Sequence, residues 1–500
     1  MHPLSSLSRR HFLALGVGSL LSRPALSASP DPWAAAFARQ QAHHPWLSGY
    51  QNAPLHGYGP LAISLPATWP KQVSGTLYRN GPALHQFAGQ RYHHWFDGDG
   101  MVHRFHIANG TLHYHARFVE TAKLTAERAA GKRLRAGFGT YYPGPPTRHP
   151  DDLNSANISV LWHNQKLFAL WEAGSPYEID PGTLATKGRH RWQDGHYLPF
   201  TAHPKVDENG HLWAIGYSNV GPNRLFLYHI GPTGDLRQQH ALAVDNLPPV
   251  HDFVLTKDFL VIPLPPLSFN PATAAETAYI DSHIWQGDKA TRILIVDRAD
   301  FSKTKIVETD PWWVFHYAGG WQDADGTIRL QAIQYPNTDI IYGPLRDVMR
   351  GHATASKPGD ALPVEITISP GGKVNGTAMA DLVGEFPVRP EASATGRYND
   401  FCVLTAKLQD QRPQFTGIAR IDLNNGVADS FEFGNQVSVE EHLWLPGNRG
   451  APGWLIGIIL DHQQQHSALC LFDAGNLSDG PRSRIELPHI IPLGLHGCFI

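Results

Sequence analysis

Four histidines of the 500-residue chain stand alone in apolar, strand-like surroundings: Phe200-Thr-Ala-His203-Pro-Lys205, Pro249-Val-His251-Asp-Phe253, Trp313-Val-Phe-His316-Tyr317 and Leu495-His496-Gly497. A neutral imidazole offers one nitrogen lone pair, and a set of imidazoles suits a first-row transition metal. The same residue type also serves as a hydrogen-bonded core side chain, and with 29 His in the chain the intervals alone do not separate the two roles. Ligands drawn from separate sheets would carry no fixed spacing. His496 is the least expected of the set, because the last residues of a chain ordinarily fray.

Other chemistry is poorly represented. The sequence contains no G-x-S-x-G elbow, Walker A loop, H-E-x-x-H or C-x-x-C motif. Asp97-Gly-Asp-Gly100 begins like a calcium loop, but its second glycine comes too early for an EF-hand and no glutamate closes it, so it reads as a turn. His462-Gln-Gln-Gln-His466 has metal-like spacing, yet it joins two strand-like runs, Trp454 to Leu460 and Ala468 to Phe472, and reads as a surface hairpin connection. Cys402, Cys470 and Cys498 are too few and too scattered for a disulfide framework or a zinc ribbon.

The elements that must position such residues are mostly strands. Met101 to Ile107 and Thr111 to Phe118 alternate apolar and polar residues around Asn109-Gly110, a hairpin with Met101, His103, Phe105 and Ile107 on one face. Polar glycine turns recur at Asp207-Glu-Asn-Gly210, Asp323-Ala-Asp-Gly326 and Asp422-Leu-Asn-Asn-Gly426, each leading into another strand-like run. Gly and Pro, 47 and 40 residues, make up about a sixth of the chain, above the roughly 12% average, and are spread evenly. Strand and turn repeated without a strict period is the pattern of a propeller or a large barrel. Thr121 to Arg135 is the best helix candidate.

A formal charge of -3 and the absence of basic runs interleaved with aromatics argue against a nucleic-acid partner. Ser8-Arg9-Arg10-His11-Phe12-Leu13, the apolar Ala14 to Leu21 and Ala25-Leu26-Ser27-Ala28 read as a twin-arginine export signal over residues 1–29. That run is too short to span a bilayer. The mature chain, 30–500, is then a single domain exported folded, with a periplasmic destination.

Leu77-Tyr-Arg-Asn-Gly-Pro82, Phe96-Asp-Gly-Asp-Gly-Met-Val-His103, Arg117-Phe-Val-Glu-Thr121, Ala169-Leu-Trp-Glu-Ala-Gly174, Ala202-His-Pro-Lys205, His251-Asp-Phe253, Phe315-His316, Glu385-Phe-Pro387 and Leu495-His-Gly497 occur in this order. Together they resemble the carotenoid cleavage oxygenase family from about Leu77 to Ile500. The resemblance implies an all-β fold, a seven-bladed β-propeller with a helical and loop-built cap over its top face. It implies an axial Fe(II) held by His203, His251, His316 and His496, with Glu172, Glu385 and Glu441 accepting hydrogen bonds from the ligand rings. It further implies O2-dependent cleavage of an alkene C=C in a carotenoid or apocarotenoid, an apolar polyene; because such substrates partition into membranes, peripheral docking through an apolar rim of the cap is expected, at a surface the sequence does not locate.

Three departures from the family pattern stand out. His316 is followed by Tyr-Ala-Gly319-Gly320-Trp321-Gln322, without the usual Asn and Glu; His211 replaces an acidic residue; and Glu441 is followed by His442 where Pro is usual. The stilbenoid-cleaving branch is the alternative reading. There a Lys precedes the first of these glutamates and a Tyr lies upstream; here Tyr141 fills the Tyr position, but Trp171 takes the place of Lys. A non-cleaving polyene binder or an isomerase on the same scaffold is the third.

Overall fold

The computed structural model describes residues 31–144, 147, 149–192, 197–219, 222–351, 360–390, 395–406, 414–447 and 452–500. The expected export signal lies outside them. Seven antiparallel sheets, six of four strands and one of five, succeed one another along the chain as the blades of a propeller. The strands nearest the axis are Ser159–His163, Lys205–Val206, Val254–Leu255, Trp313–Gln322, Val383–Val388 and Val437–Leu445 for blades 2 to 7. Blade 1 is assembled from both ends of the chain, in the order Tyr58–Ser64, Thr111–Phe118, Asp99–Ala108, Gly75–Leu84 and Gly497–Phe499.

Burial follows position in the blade. Middle strands such as Trp454–Asp461 are covered on both faces and are nearly continuously apolar, whereas outer strands such as Gly426–Glu432 alternate with exposed polar residues. Each of the seven seams between adjacent blades has its own apolar cluster, from Val102 with Ala169 at the first to Leu112 with Ile458 and Leu471 at the last. The predicted hairpin forms between Asp99–Ala108 and Thr111–Phe118, with Asn109 at φ 51° and Gly110 at φ 74° in its turn.

Two expectations need correction. The helix foreseen over Thr121 to Arg135 runs only Ala122–Ala130, capped by the Thr121 hydroxyl on the Leu124 N–H and ended by Gly131 at φ 61°, where the left-handed C′ position favours glycine. The His462-to-His466 connection is a hairpin turn as expected, but His462 is buried instead of lying at the surface, and His466 pairs with Glu486. Asp97-Gly-Asp-Gly100 has a structural role: the buried Asp97 carboxylate accepts from the Gly139 N–H and the Thr140 hydroxyl, clamping a cap segment over the propeller. The cap also contains the helices Pro32–Gln41 and Pro344–Arg350, packed together through Phe37, Val348 and Met349.

The closing strand lies on its neighbour through backbone bonds from Leu495 N–H to Asn80 O (2.9 Å), Asn80 N–H to His496 O (2.9 Å) and Ile500 N–H to Thr76 O (3.0 Å). A Cβ on Gly81 would stand 2.5 Å from Gly494 Cα, so two backbones meet here with no room for a side chain. Gly81→Ala is therefore expected to lower the melting temperature by about 1–3 °C, the effect of overpacking at about 1–3 kcal/mol in a chain of this length. Deleting residues 495–500 lowers it further; thermal melts of the two variants and wild type check both.

Candidate metal centre

The blades converge on the axis with one chemical group each. Blades 3, 4, 5 and 1 bring His203, His251, His316 and His496, and blades 2, 6 and 7 bring Glu172, Glu385 and Glu441. His203, His251 and His496 precede the inner strands of their blades, while His316, Glu385 and Glu441 lie within theirs. Those last three all sit at register shifts, between Val314 and Tyr317, Glu385 and Val388, and Val439 and His442. A bulge turns a side chain that would face a neighbouring blade toward the axis instead.

The ligand nitrogens of His203, His251 and His316 lie within 4.8 Å of one another, and the His496 ring centroid is 4.7 Å from those of His203 and His316. His251 Nδ1–H donates to Glu172 Oε2 (2.5 Å), His316 Nδ1–H to Glu385 Oε2 (2.5 Å) and His496 Nδ1–H to Glu441 Oε1 (2.9 Å). All three expected carboxylates are thus placed, including Glu441, whose His442 neighbour turns aside to bond its Nδ1 to the Glu440 carbonyl (2.7 Å).

In the neutral rings the Nδ1 proton goes to the glutamate, leaving Nε2 of His251 and His316 as lone-pair donors for a metal; these two atoms face each other at 3.3 Å, and His203 Nε2 is 3.0 Å from His251 Nε2. Facing lone pairs repel unless a cation lies between them. Nitrogens about 2.1 Å from one ion stand roughly 3.0–3.4 Å apart for right-angled to tetrahedral arrangements. The residues present therefore fit a transition metal. Burial holds His203 well below its ordinary pKa and brings His496 to about 4, which keeps their lone pairs available at neutral pH. Burial would also lower His316, but the Glu385 carboxylate overrides it and raises that group.

Each carboxylate is itself held by a residue that the sequence did not reveal. Tyr217 donates to Glu172, Tyr335 to Glu385 Oε1 (3.1 Å), and Arg79 (3.3 Å) with the Gly497 N–H (2.9 Å) to Glu441 Oε2. Asp252 joins the loops of three histidines, accepting from Lys205 (2.6 Å), the Phe253 N–H (2.8 Å) and the Tyr317 N–H (3.1 Å). Arg79 and Asp252 lie inside quoted motifs, Leu77-Tyr-Arg and His251-Asp-Phe253, so part of this framework was visible as a pattern without a role. The departure after His316 is absorbed locally, since Gln322 accepts from the Asp258 N–H at 3.0 Å. His211 lies apart from the centre and pairs with His229 (2.8 Å).

A cavity of about 850 Å³ opens against the histidines, lined by His251, His316 and His496 and by aromatic rings including Phe96, Trp313 and Phe315. Tyr141 and Trp171 both line it, and Tyr141 is 43% exposed.

Comparison with known proteins agrees with this geometry. Residues 54–500 match the model of the family described as RPE65, retinal pigment epithelial membrane protein. The chain is 27% identical over 491 residues to the apocarotenoid-15,15'-oxygenase of Synechocystis sp., covering 93% of this chain and 98% of that one. It is also 27% identical to the isoeugenol monooxygenase of Pseudomonas nitroreducens, over 86% of this chain and 92% of that protein. The structure of cobalt-substituted Synechocystis apocarotenoid oxygenase superposes with a TM-score of 0.81 at 26% identity, covering 91% of this chain and 98% of that one. Seven blades closed by a terminal strand, and a family match running through that strand, make this chain a member of the RPE65 or carotenoid oxygenase family.

Proposed function

We propose that the protein is a non-haem iron dioxygenase that cleaves an alkene C=C of a carotenoid or apocarotenoid with O2, one oxygen atom going to each of two carbonyl products. The observation that carries this reading is the set of bare Nε2 atoms 3.0 and 3.3 Å apart, facing an aromatic-walled cavity. His203, His251, His316 and His496 would hold Fe(II), which supplies O2 activation when bound. The remaining work belongs to the chain. Glu172, Glu385 and Glu441 fix the ring orientations, the aromatic walls align one double bond beside the centre, and the cap keeps water out. No side-chain nucleophile is required. A second reading, cleavage of a phenolic arylalkene, is favoured by the equal identity to the isoeugenol monooxygenase.

Export by the twin-arginine route to the periplasm belongs to the same proposal, supported by the Arg9-Arg10 segment and the apolar run after it. So does peripheral membrane contact, supported by Tyr141 on the cavity and by Ile284, 54% exposed in the strand His283–Trp285. Among the described residues no helix is long and apolar enough to cross a membrane.

Three outcomes are expected. His203→Ala, His251→Ala, His316→Ala and His496→Ala each lose bound iron and O2 uptake on an apocarotenal while melting cooperatively; a variant with full iron and full uptake removes its residue from the ligand set. Glu385→Gln lowers iron affinity or turnover by about 10- to 100-fold, measured by metal titration and oxygen electrode. Ile284→Asp reduces co-flotation with zwitterionic lipid vesicles, and unchanged flotation overturns that docking surface.

A further inference from the structure

Beside Glu172 the cavity wall changes from aromatic carbon to a connected polar group. Tyr217 and Asn219 come from the end of the strand Leu212–Ser218 and the residue just after it, and Tyr279 precedes the turn Ile280–Ser282; all three line the cavity. Behind them is His283, which is buried. The protons in this group can be counted. The Tyr279 carbonyl can only accept, so His283 Nδ1 is the donor in their 2.9 Å bond. Burial brings the His283 pKa down to about 4, so the ring is neutral and its Nε2 accepts from Asn219 Nδ2 at 3.0 Å. That fixes the amide orientation: Asn219 Oδ1 faces the Tyr279 hydroxyl at 3.0 Å.

Tyr217 gives its only hydroxyl proton to the Glu172 carboxylate. Tyr279 gives its one proton to Asn219 Oδ1, so the oxygens of both tyrosines, having donated, keep acceptor lone pairs at the cavity wall. The second amide N–H of Asn219 has no acceptor among the described residues. Open acceptors and an open donor therefore lie side by side on the cavity wall, the complement of a hydroxyl group, which both donates and accepts.

We propose that Tyr217, Asn219 and Tyr279 form a subsite for a hydroxyl group on the substrate, so that the enzyme prefers a hydroxylated alkene over its deoxy or O-methyl counterpart. The proposal rests on the reading of this cavity as the substrate site. A hydrocarbon end would leave these open valences unpaired, and an ether could accept from Asn219 but donate to neither tyrosine. A cavity that buries polar groups meant for a hydroxyl rejects the analogue lacking it. The hydroxyl can belong to a phenol or to an alcohol on a terpenoid ring.

The test uses the full-length iron-loaded protein and Asn219→Leu and Tyr279→Phe variants. The turnover probes are para-hydroxystilbene against para-methoxystilbene, and a ring-hydroxylated apocarotenal against its deoxy counterpart. Binding without turnover is read with para-hydroxybibenzyl against para-methoxybibenzyl, which contain no alkene, by quenching of fluorescence from the cavity tryptophans Trp95, Trp171 and Trp313. The expected result is a preference of about tenfold or more for the hydroxylated member of at least one pair. In both variants that ratio collapses toward one, with iron content and melting temperature retained. A preference confined to the stilbene and bibenzyl pairs assigns a phenol, and one confined to the apocarotenal pair assigns a ring alcohol. No preference in any pair, or a preference surviving in both variants, overturns the subsite. If alkenes are cleaved without preference, the subsite fails and the oxygenase reading stands. If no alkene is cleaved but the bibenzyl preference appears and collapses in the variants, the subsite stands and the oxygenase reading fails.

Discussion

The pairing of Gly497–Phe499 with Gly75–Leu84 is the constraint on which the rest of the molecule depends. A propeller is a ring of sheets in which each blade buries its face on the next, and an open seam would expose the apolar faces on both sides. Here the last seam brings Leu112 and Tyr114 of blade 1 against Ile456, Ile458 and Leu471 of blade 7, and blade 1 is complete only when the terminal strand is in place. The residue entering that strand is His496. Closing the ring and completing the histidine cluster are one event, which is why a terminal residue can sit where an ion needs fixed geometry.

Arg79 makes that coupling electrostatic as well as steric. It lies on Gly75–Leu84, pairs with Glu440 and Glu441 of blade 7, and donates to the Leu495 carbonyl at 3.1 Å. Removing such charges from water is costly unless every partner is present, so Arg79 favours only the arrangement in which blades 7 and 1 and the terminal strand are all docked. Burial raises the pKa of Glu440. For Glu441 burial acts in the same sense, but His496 and Arg79 outweigh it and hold the carboxyl below its usual range. Two adjacent glutamates thus differ in role: Glu440 anchors the arginine, and Glu441 carries the histidine.

The propeller and the seven axial residues were legible in the sequence for different reasons. Strand grammar came from alternation and glycine turns, as in Met101 to Phe118, where a slip of one residue would invert the buried face. The histidines were legible only as members of an ordered set of motifs, since nothing local to His203 or His316 distinguishes a ligand from a core residue. Tyr217, Tyr335 and Tyr279 were not legible at all. Each touches its partner across 45, 50 or 60 residues of chain, and a tyrosine in a strand already satisfies every local rule. The short helix was overextended because Ala, Lys and Arg continue past Gly131, where the backbone and not the composition ends it.

Backbone strain marks where the fold and the site make opposing demands. Phe386 follows Glu385 at φ 53°, a conformation that costs a bulky residue about 1–3 kcal/mol. Its N–H donates to Glu385 Oε2 at 2.6 Å, and its ring lies 5.2 Å from His316 and 5.1 Å from His496. An unstrained strand would send residues 385 and 386 to opposite faces of the blade. The bulge instead gives both to the axis, the carboxylate to hold an imidazole and the ring to wall the cavity beside it. The strained backbone is held by those contacts, the Phe386 N–H on Glu385 and its ring between His316 and His496. Asn219 and Tyr279 come from connections at the blade ends, whereas Glu172, Glu385 and Glu441 are held against the histidines of the closed ring.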